Sequence, residues 1–407
     1  MTRISKLAVL LAVAALFTGA TAAVASAAST TTVPSKGTVV IGNISAASVY
    51  PLSSPFAFNT LKAWAKDVNS RGGVNGYKIV VKTADDQGDP AKASAAMKSL
   101  IDAGAVAIVG EYAQATESTW LPIADAAKVP VIGGGCYAVD FNTDQNFYCV
   151  TTTAILDGLN AQAKFVALQG GTKMGITYDS GQPQAAAAAP LMKGAATKYG
   201  VTWTQGVGVS NTQPDYTAAC VTFKQSGTTD VGIEGAPLLQ NLARDCVRQG
   251  YSPRWTSGDG QISQNAWLKD PNIKEAIAAV YSFPYLLTKG SNPAQTAALQ
   301  RFQKVMKKYA PAVLKSDSKQ PATTVWTAAL AFEKALSKVT SGKPTAADIT
   351  TALNSFQAET LDGLAPNPLT FTAGQQHPHN PCWFQLVLKN HKLQAPVGMQ
   401  TTCTPQG

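Results

Sequence analysis

Short apolar runs alternate along the chain with longer segments whose apolar residues recur every three to four positions. The run TVVIGNIS (38–45) reads as a strand, and in FAFNTLKAWAKDVNS (56–70) Leu61, Trp64, Ala65 and Val68 share one helical face. A turn follows, with Gly72, Gly73 and the Asn75-Gly76 pair at positions where positive φ is cheap. YKIVVKTAD (77–85) is the next strand. Asp89-Pro90 then opens a helix: Asp89 suits the N-cap, and Pro90 sits at the first helical position, where its missing N–H costs nothing. That helix carries Met97, Leu100 and Ile101 and stops at Gly104, and AVAIVG (105–110) is a continuous apolar strand of the kind helices cover on both faces.

The alternation repeats. Helices are expected over 117–128, 156–170 and 183–200, the last with a kink at Pro190, and strands over 129–135, 173–179, 201–209, 229–236 and 253–260. Further helices fall at 295–309, 321–339 and 345–356, and the tail 369–393 reads as strands and loops. Strand–helix alternation over this length means an α/β fold of open parallel sheets with crossover helices. The length exceeds one ordinary domain and suggests two.

The N-terminus follows a different pattern. Arg3 and Lys6 precede an apolar run, 7–17, and small residues ending in Ala25-Ser26-Ala27, which is the layout of a secretory signal peptide cleaved near Ala27. The run is too short to span a bilayer. The mature chain is thus expected outside the cytoplasm, secreted or at the cell envelope, without a lipid-anchoring Cys at the cleavage site. Two of the 33 basic residues leave with the leader, so the remainder exceed the 24 acidic residues by seven. That charge is dispersed, the densest patch being Lys304 to Lys308, and no concentrated stripe or module of a nucleic-acid binder occurs. Six cysteines in an exported chain favour disulfides. Of the 15 possible pairings, the one taken here joins sequence neighbours: Cys136 with Cys149, Cys220 with Cys246 and Cys382 with Cys403.

The stretch 71–110 contains a glycine-rich turn, a strand, the pair Asp85-Asp86, the Asp89-Pro90 helix start and a strand ending in Gly110, in that order. It resembles the type I periplasmic binding proteins, the leucine/isoleucine/valine-binding branch of ABC-transporter substrate-binding proteins. The resemblance runs from about Val39 to about Leu393, and is confined to element order in the last third. It implies two Rossmann-like lobes with central parallel sheets and a three-segment hinge near Thr152, Phe283 and Pro368. After the signal peptide (1–27) and a flexible leader (28–35), lobe I would take 36–152 and 284–367, and lobe II 153–283 and 368–407.

In open parallel α/β sheets a ligand lies beyond the carboxyl ends of the strands, where helix N-termini point. Two loops of the first lobe qualify, 110–119 and 133–140, and their glycines allow close backbone approach. Amino-acid-binding members hold the α-carboxylate with a Ser from the first loop and a Thr from the second, and an acid of the second lobe meets the ammonium. At those places stand Gln114, flanked by Ala115 and Thr116, then Tyr137, and Asp259; Gly135 stands where a backbone carbonyl contributes, beside Cys136. Tyr178 and Tyr50, which follow strands, complete the expected ligand-binding set, with Gln182, Glu234, Phe283 and Tyr285 as weaker second-lobe positions.

His377, His379 and His391 lack a companion cysteine or acidic cluster, so no metal site is expected. No G-x-S-x-G, H-E-x-x-H or Walker pattern occurs, and neither an enzyme activity nor a cofactor is expected. The resemblance implies a monomeric solute-binding component that hands a small polar ligand, a branched-chain amino acid or a related amide or organic acid, to the membrane permease and ATPase of an ABC importer. The alternative is a secreted sensor or scavenger on the same fold that delivers to a signalling partner.

Overall fold

Residues Thr38–Ser45 form β1, and their alternating side chains serve two different cores. Val39 and Ile41 face one way and Val40 the other. The computed structural model describes residues 33–48, 55–136, 144–151, 155–180, 183–210, 213–234, 239–258, 260–340, 342–377 and 380–404. The signal peptide, Tyr50, Tyr137, Thr152, Gln182, Asp259 and His379 lie outside them.

Among the described residues, β1 heads a five-stranded parallel sheet with β2 (Lys78–Asp85), β3 (Ala105–Val109), β4 (Val131–Ile132) and β5 (Phe147–Tyr148), in the order β2-β1-β3-β4-β5. β1 and β2 pair without slippage from Thr38 opposite Lys78 to Ser45 opposite Asp85. One face is covered by α1 (Phe56–Ser70) together with two helices from late in the chain, α9 (Pro293–Tyr309) and α11 (Pro321–Ser337). Trp64 of α1, fully buried, meets Phe332 of α11 edge-on at 6.1 Å and donates Nε1–H to Glu333 at 2.9 Å. Burying a side chain of this size is worth about 2–3 kcal/mol. The other face receives α2 (Pro90–Asp102) and α3 (Glu117–Ala126), whose Met97, Leu100, Trp120 and Leu121 pack on Ile108, Val131 and Phe147. Asp89 caps α2 by accepting from the Lys92 amide at 2.9 Å, with Pro90 behind it. A Thr345/Asp348 capping box opens α12 (Ala346–Asn354), which packs on α11.

The second sheet follows the same logic with a different edge. β6 (Lys173–Asp179), β7 (Thr202–Val209), β8 (Asp230–Glu234), β9 (Arg254–Ser257) and β10 (Glu275–Val280) are parallel, and β11 (Cys382–Lys389) joins β10 antiparallel, followed by β12 (Lys392–Gln394) and, on β11's other end, β13 (Thr402–Cys403). The central parallel strands are those the sequence pattern predicts, and the tail adds to them. The antiparallel edge arises because the chain's tail returns to this sheet without a crossover helix. Ile277 and Ala279 of β10 face α4 (Ile155–Leu168) and α5 (Pro183–Lys198), while Ala276 and Ala278 face the side of α6 (Thr217–Gln225) and α7 (Leu239–Arg248). β11 alternates likewise, Trp383 to the first side and Phe384, Leu386 and Leu388 to the second. α5 continues through Pro190. Two short helices, α8 (Asn265–Lys269) and α10 (Pro311–Lys315), lie where the β9–β10 connection meets the chain leading into α11.

Cys136–Cys149, Cys220–Cys246 and Cys382–Cys403 are disulfide-bonded. The second bond ties α6 to α7, and the third ties β11 to β13.

Candidate functional site

At the carboxyl end of the first sheet the chain leaves β3 at Gly110 and β4 at Gly133, and the two exits interlock. Asn43, buried on β1, donates Nδ2–H to the carbonyls of Val109 and Gly110 at 2.8 and 2.6 Å, which fixes where the first loop begins. A 3₁₀ turn over Gln114–Thr116 then leads into α3. The second loop does not continue the strand expected over 129–135. Only Val131–Ile132 stay in the ladder, because beyond the Gly133 amide, bonded to Tyr148 O at 2.9 Å, the Gly135 amide turns to Glu111 O at 3.1 Å.

Glu111 is the centre of this junction. Its carboxylate is fully buried, and it accepts from the Ala113 amide at 3.1 Å and the Gly135 amide at 3.2 Å, with the Gly134 amide contributing. Burial raises its pKa from 4.5 to about 7, against the lowering effect of the three amides, and the Asp86 charge adds to the rise. Asp86, also fully buried, accepts from Thr116 Oγ1 and from the Gly88 amide at 3.3 Å. Its neighbour Asp85 accepts from the Ala47 and Gln87 amides, both at 3.0 Å. The Asp-Asp pair thus braces the loops around the strand ends.

The glycines are needed for loop-to-loop approach. A Cβ on Gly134 would lie 2.2 Å from Glu111 O, and one on Gly135 would lie 1.6 Å from Gln114 Nε2. These contacts between the loops give the glycines a role besides the close approach to a ligand expected from sequence.

The expected binding residues separate on inspection. Gln114 is half-buried, and its amide nitrogen is shielded from solvent without a hydrogen-bond partner among the described residues. Ala115 is exposed beside it. Thr116 is turned inward, its hydroxyl directed to Asp86, so its side chain serves the loop and not the crevice. Cys136 is fully buried in its bond to Cys149, which leaves only its backbone to reach outward. Tyr178 is half-buried, its ring lying over β7 within 3.1 Å of where a Cβ on Gly208 would be and 3.3 Å for Gly206; the glycines of β7 make room for it. Phe283 is fully buried against Phe302, edge-on at 5.1 Å, and is a core residue.

Two features of the second sheet's carboxyl end escaped sequence reasoning. Gln162 of α4, buried, donates to Glu234 at the end of β8 at 2.5 Å and accepts from Thr256 Oγ1 on β9 at 2.9 Å. This holds a half-buried carboxylate at the rim. Gln320, at the start of α11, donates to the carbonyls of Ser282 and Phe283, both at 3.1 Å, and accepts from the Tyr285 amide at 3.0 Å. It clasps the chain where it passes from β10 towards α9. A long apolar side chain at 162 or 320 would leave these polar groups unpaired. Neither glutamine has a motif to announce it.

A sequence model described as periplasmic binding protein matches residues 38–392. An amino acid binding protein of Pseudomonas aeruginosa is 25% identical over 233 residues, covering 56% of this chain and 60% of that protein. A branched-chain amino acid ABC transporter structure from Thermus thermophilus with bound valine superposes with a TM-score of 0.71 at 17% identity, covering 90% of this chain and 97% of that one. A fatty acid ABC transporter substrate-binding protein from Thermomonospora curvata gives 0.67 at 16% identity, with 92% and 95% covered. Two lobes on parallel sheets, loops gathered at the strand ends, and a family match across nearly all of the described chain agree: the chain belongs to the periplasmic binding protein family, whose members capture solutes and are not enzymes.

Proposed function

We propose that the protein is the extracytoplasmic solute-binding component of an ABC importer, taking a small polar ligand between its lobes and delivering it to a membrane permease and ATPase. The observation that carries this reading is the Gln114 amide donor, shielded from solvent and without a partner among the described residues, set between two interlocked loops at the carboxyl end of the first sheet. Such a donor is costly unless something supplies an oxygen. A carboxylate or carboxamide of the ligand supplies it. Glu234 on the opposite sheet gives a carboxylate for a ligand ammonium, in addition to the sequence candidate Asp259. A branched-chain amino acid or a related amide or organic acid meets both requirements, and valine, bound in the Thermus thermophilus relative, is the first probe. The lobes close because the ligand contacts both of them only in the closed form.

The test is a thermal-shift screen of the mature protein with valine, leucine, isoleucine, their amides, short organic acids and fatty acids. At a hundredfold excess over Kd a true ligand adds about 2.7 kcal/mol of stability. Stabilisation by a fatty acid alone would replace the polar ligand class, and no stabilisation by any member would overturn the reading. Pull-down with a sensor kinase in place of a permease would move the protein from import to signalling.

A further inference from the structure

We infer that Glu111 is a positioning residue for the ligand cradle: one buried carboxyl, taking amide hydrogens from Ala113 on the first loop and Gly135 on the second, sets the spacing of the two loops and makes that spacing respond to pH. The inference rests on the reading that these loops face the ligand, but the behaviour of the loops themselves needs no ligand to be measured.

The geometry is unusual in what surrounds the carboxyl. The charged group that acts on it is also acidic: Asp86, just past the end of β2, with Asp85 beside it and Glu117 buried at the start of α3, while the lysines of β2 and α2 (Lys78, Lys82, Lys92, Lys98) make no ion pair with it. β1 presents the neutral Asn43 and Ser45, and α11 presents Val325 to Gly110. Among the described residues no Lys, Arg or His pairs with Glu111. Among the described residues its hydrogen-bond partners are backbone amides, and burial outweighs them, so its proton is held up to about pH 7.

The consequence follows from linkage. When the loops separate, Glu111 meets water and its ordinary acidity returns, so ionisation favours separation. The interlocked cradle is firmest while Glu111 is protonated and weakens as pH rises towards and through 7. A ligand carboxylate in the cradle adds a further negative charge and favours the protonated form, so capture of an anionic group takes up a proton.

The experiment is amide hydrogen exchange on the ligand-free mature protein at pH 6 and pH 8, corrected for intrinsic rates, read on peptides covering 110–117 and 133–136. The wild type is expected to open both loops together, about tenfold more at pH 8 than at pH 6. Glu111→Gln, neutral at both values, is expected to abolish the difference, and Asp86→Asn to move the change to lower pH by removing the adjacent charge. Loops whose corrected exchange is equal at the two pH values in the wild type, or a pH response that persists in Glu111→Gln, would overturn the inference. With valine as probe, calorimetry in buffers of different ionisation enthalpy is expected to show proton uptake by the wild type and none by Glu111→Gln. An empty ligand screen bears on the proposed function alone, because the exchange measurement decides the role of Glu111 without one.

Discussion

The two sheets treat their buried acids differently. In the second, Asp230 and Asp245 are buried against arginines, and Glu234 at the rim is held by a glutamine. Asp230 pairs with Arg254 at 2.6 Å, Asp245 with Arg244 at 2.9 Å and, less closely, Arg248, and Glu234 is held by Gln162. In the first, Glu111 and Asp86 lie side by side with amides and one hydroxyl as partners. A protein that only needed to be stable would have matched these as well. Unmatched buried charge concentrated at the strand ends of one lobe marks where structure has been set by something other than stability.

The comparison can be broken most forcefully from the matched side. Arg254→Ala strands Asp230, whose side chain is 2% exposed, and is expected to cost on the order of 3 kcal/mol in urea unfolding; a loss below about 1 kcal/mol would show that the pair is not what stabilises that sheet. The next effect is pH-dependent. Glu111 has a folded pKa of about 7 against an ordinary 4.5, so its contribution is complete below about 4.5 and is lost as pH rises through about 7. The ligand-free protein is expected to be less stable at pH 8 than at pH 5, by up to about 3 kcal/mol from this group. Asp125, raised to about 7 by partial burial and by its hydrogen bond with Asp144, acts in the same direction. Glu111→Gln should remove the Glu111 share and leave that of Asp125, and a profile that rises with pH would contradict the sign.

Gly134→Ala comes third, at about 2 kcal/mol with weakened ligand binding, because its Cβ would lie 2.2 Å from the Glu111 carbonyl oxygen, on backbone that cannot step aside. Gly208→Ala, where Tyr178 is 3.1 Å away, is the milder control in the second sheet. Smallest in stability is Gln114→Leu, which removes an unsatisfied donor and should be neutral to within about 0.5 kcal/mol while lowering ligand affinity about tenfold. Unchanged affinity would separate Gln114 from recognition.

These expectations also show what one dimension can carry. The Asp89-Pro90 cap, the stripe on α1 and the apolar run of β3 follow from local chemistry, and the structure has each. Proximity in sequence also matched the disulfides, which close short loops. The depth of Glu111 could not be read this way, since a Glu after a strand is ordinarily a solvated loop residue. It is buried because β4 and β5 bring Gly134 and Gly135 over it, contacts made across 23 residues and more. The inward turn of Thr116 depends on Asp86, thirty positions away. The resemblance assigns the tail to the second lobe, but its antiparallel pairing with β10 is not written locally, since β11 alternates apolar residues like any strand.

That placement has a consequence for the order of assembly. α11, which packs on β3 and β4, and α9, which packs on α1, are made long after them, and β11, which flanks β10, is made almost last. The first half must wait for residues up to about 354, and the second for residues beyond 380. A protein folded in this interleaved way completes its second core only when nearly its final residues have emerged, so its halves mature one after the other and not together.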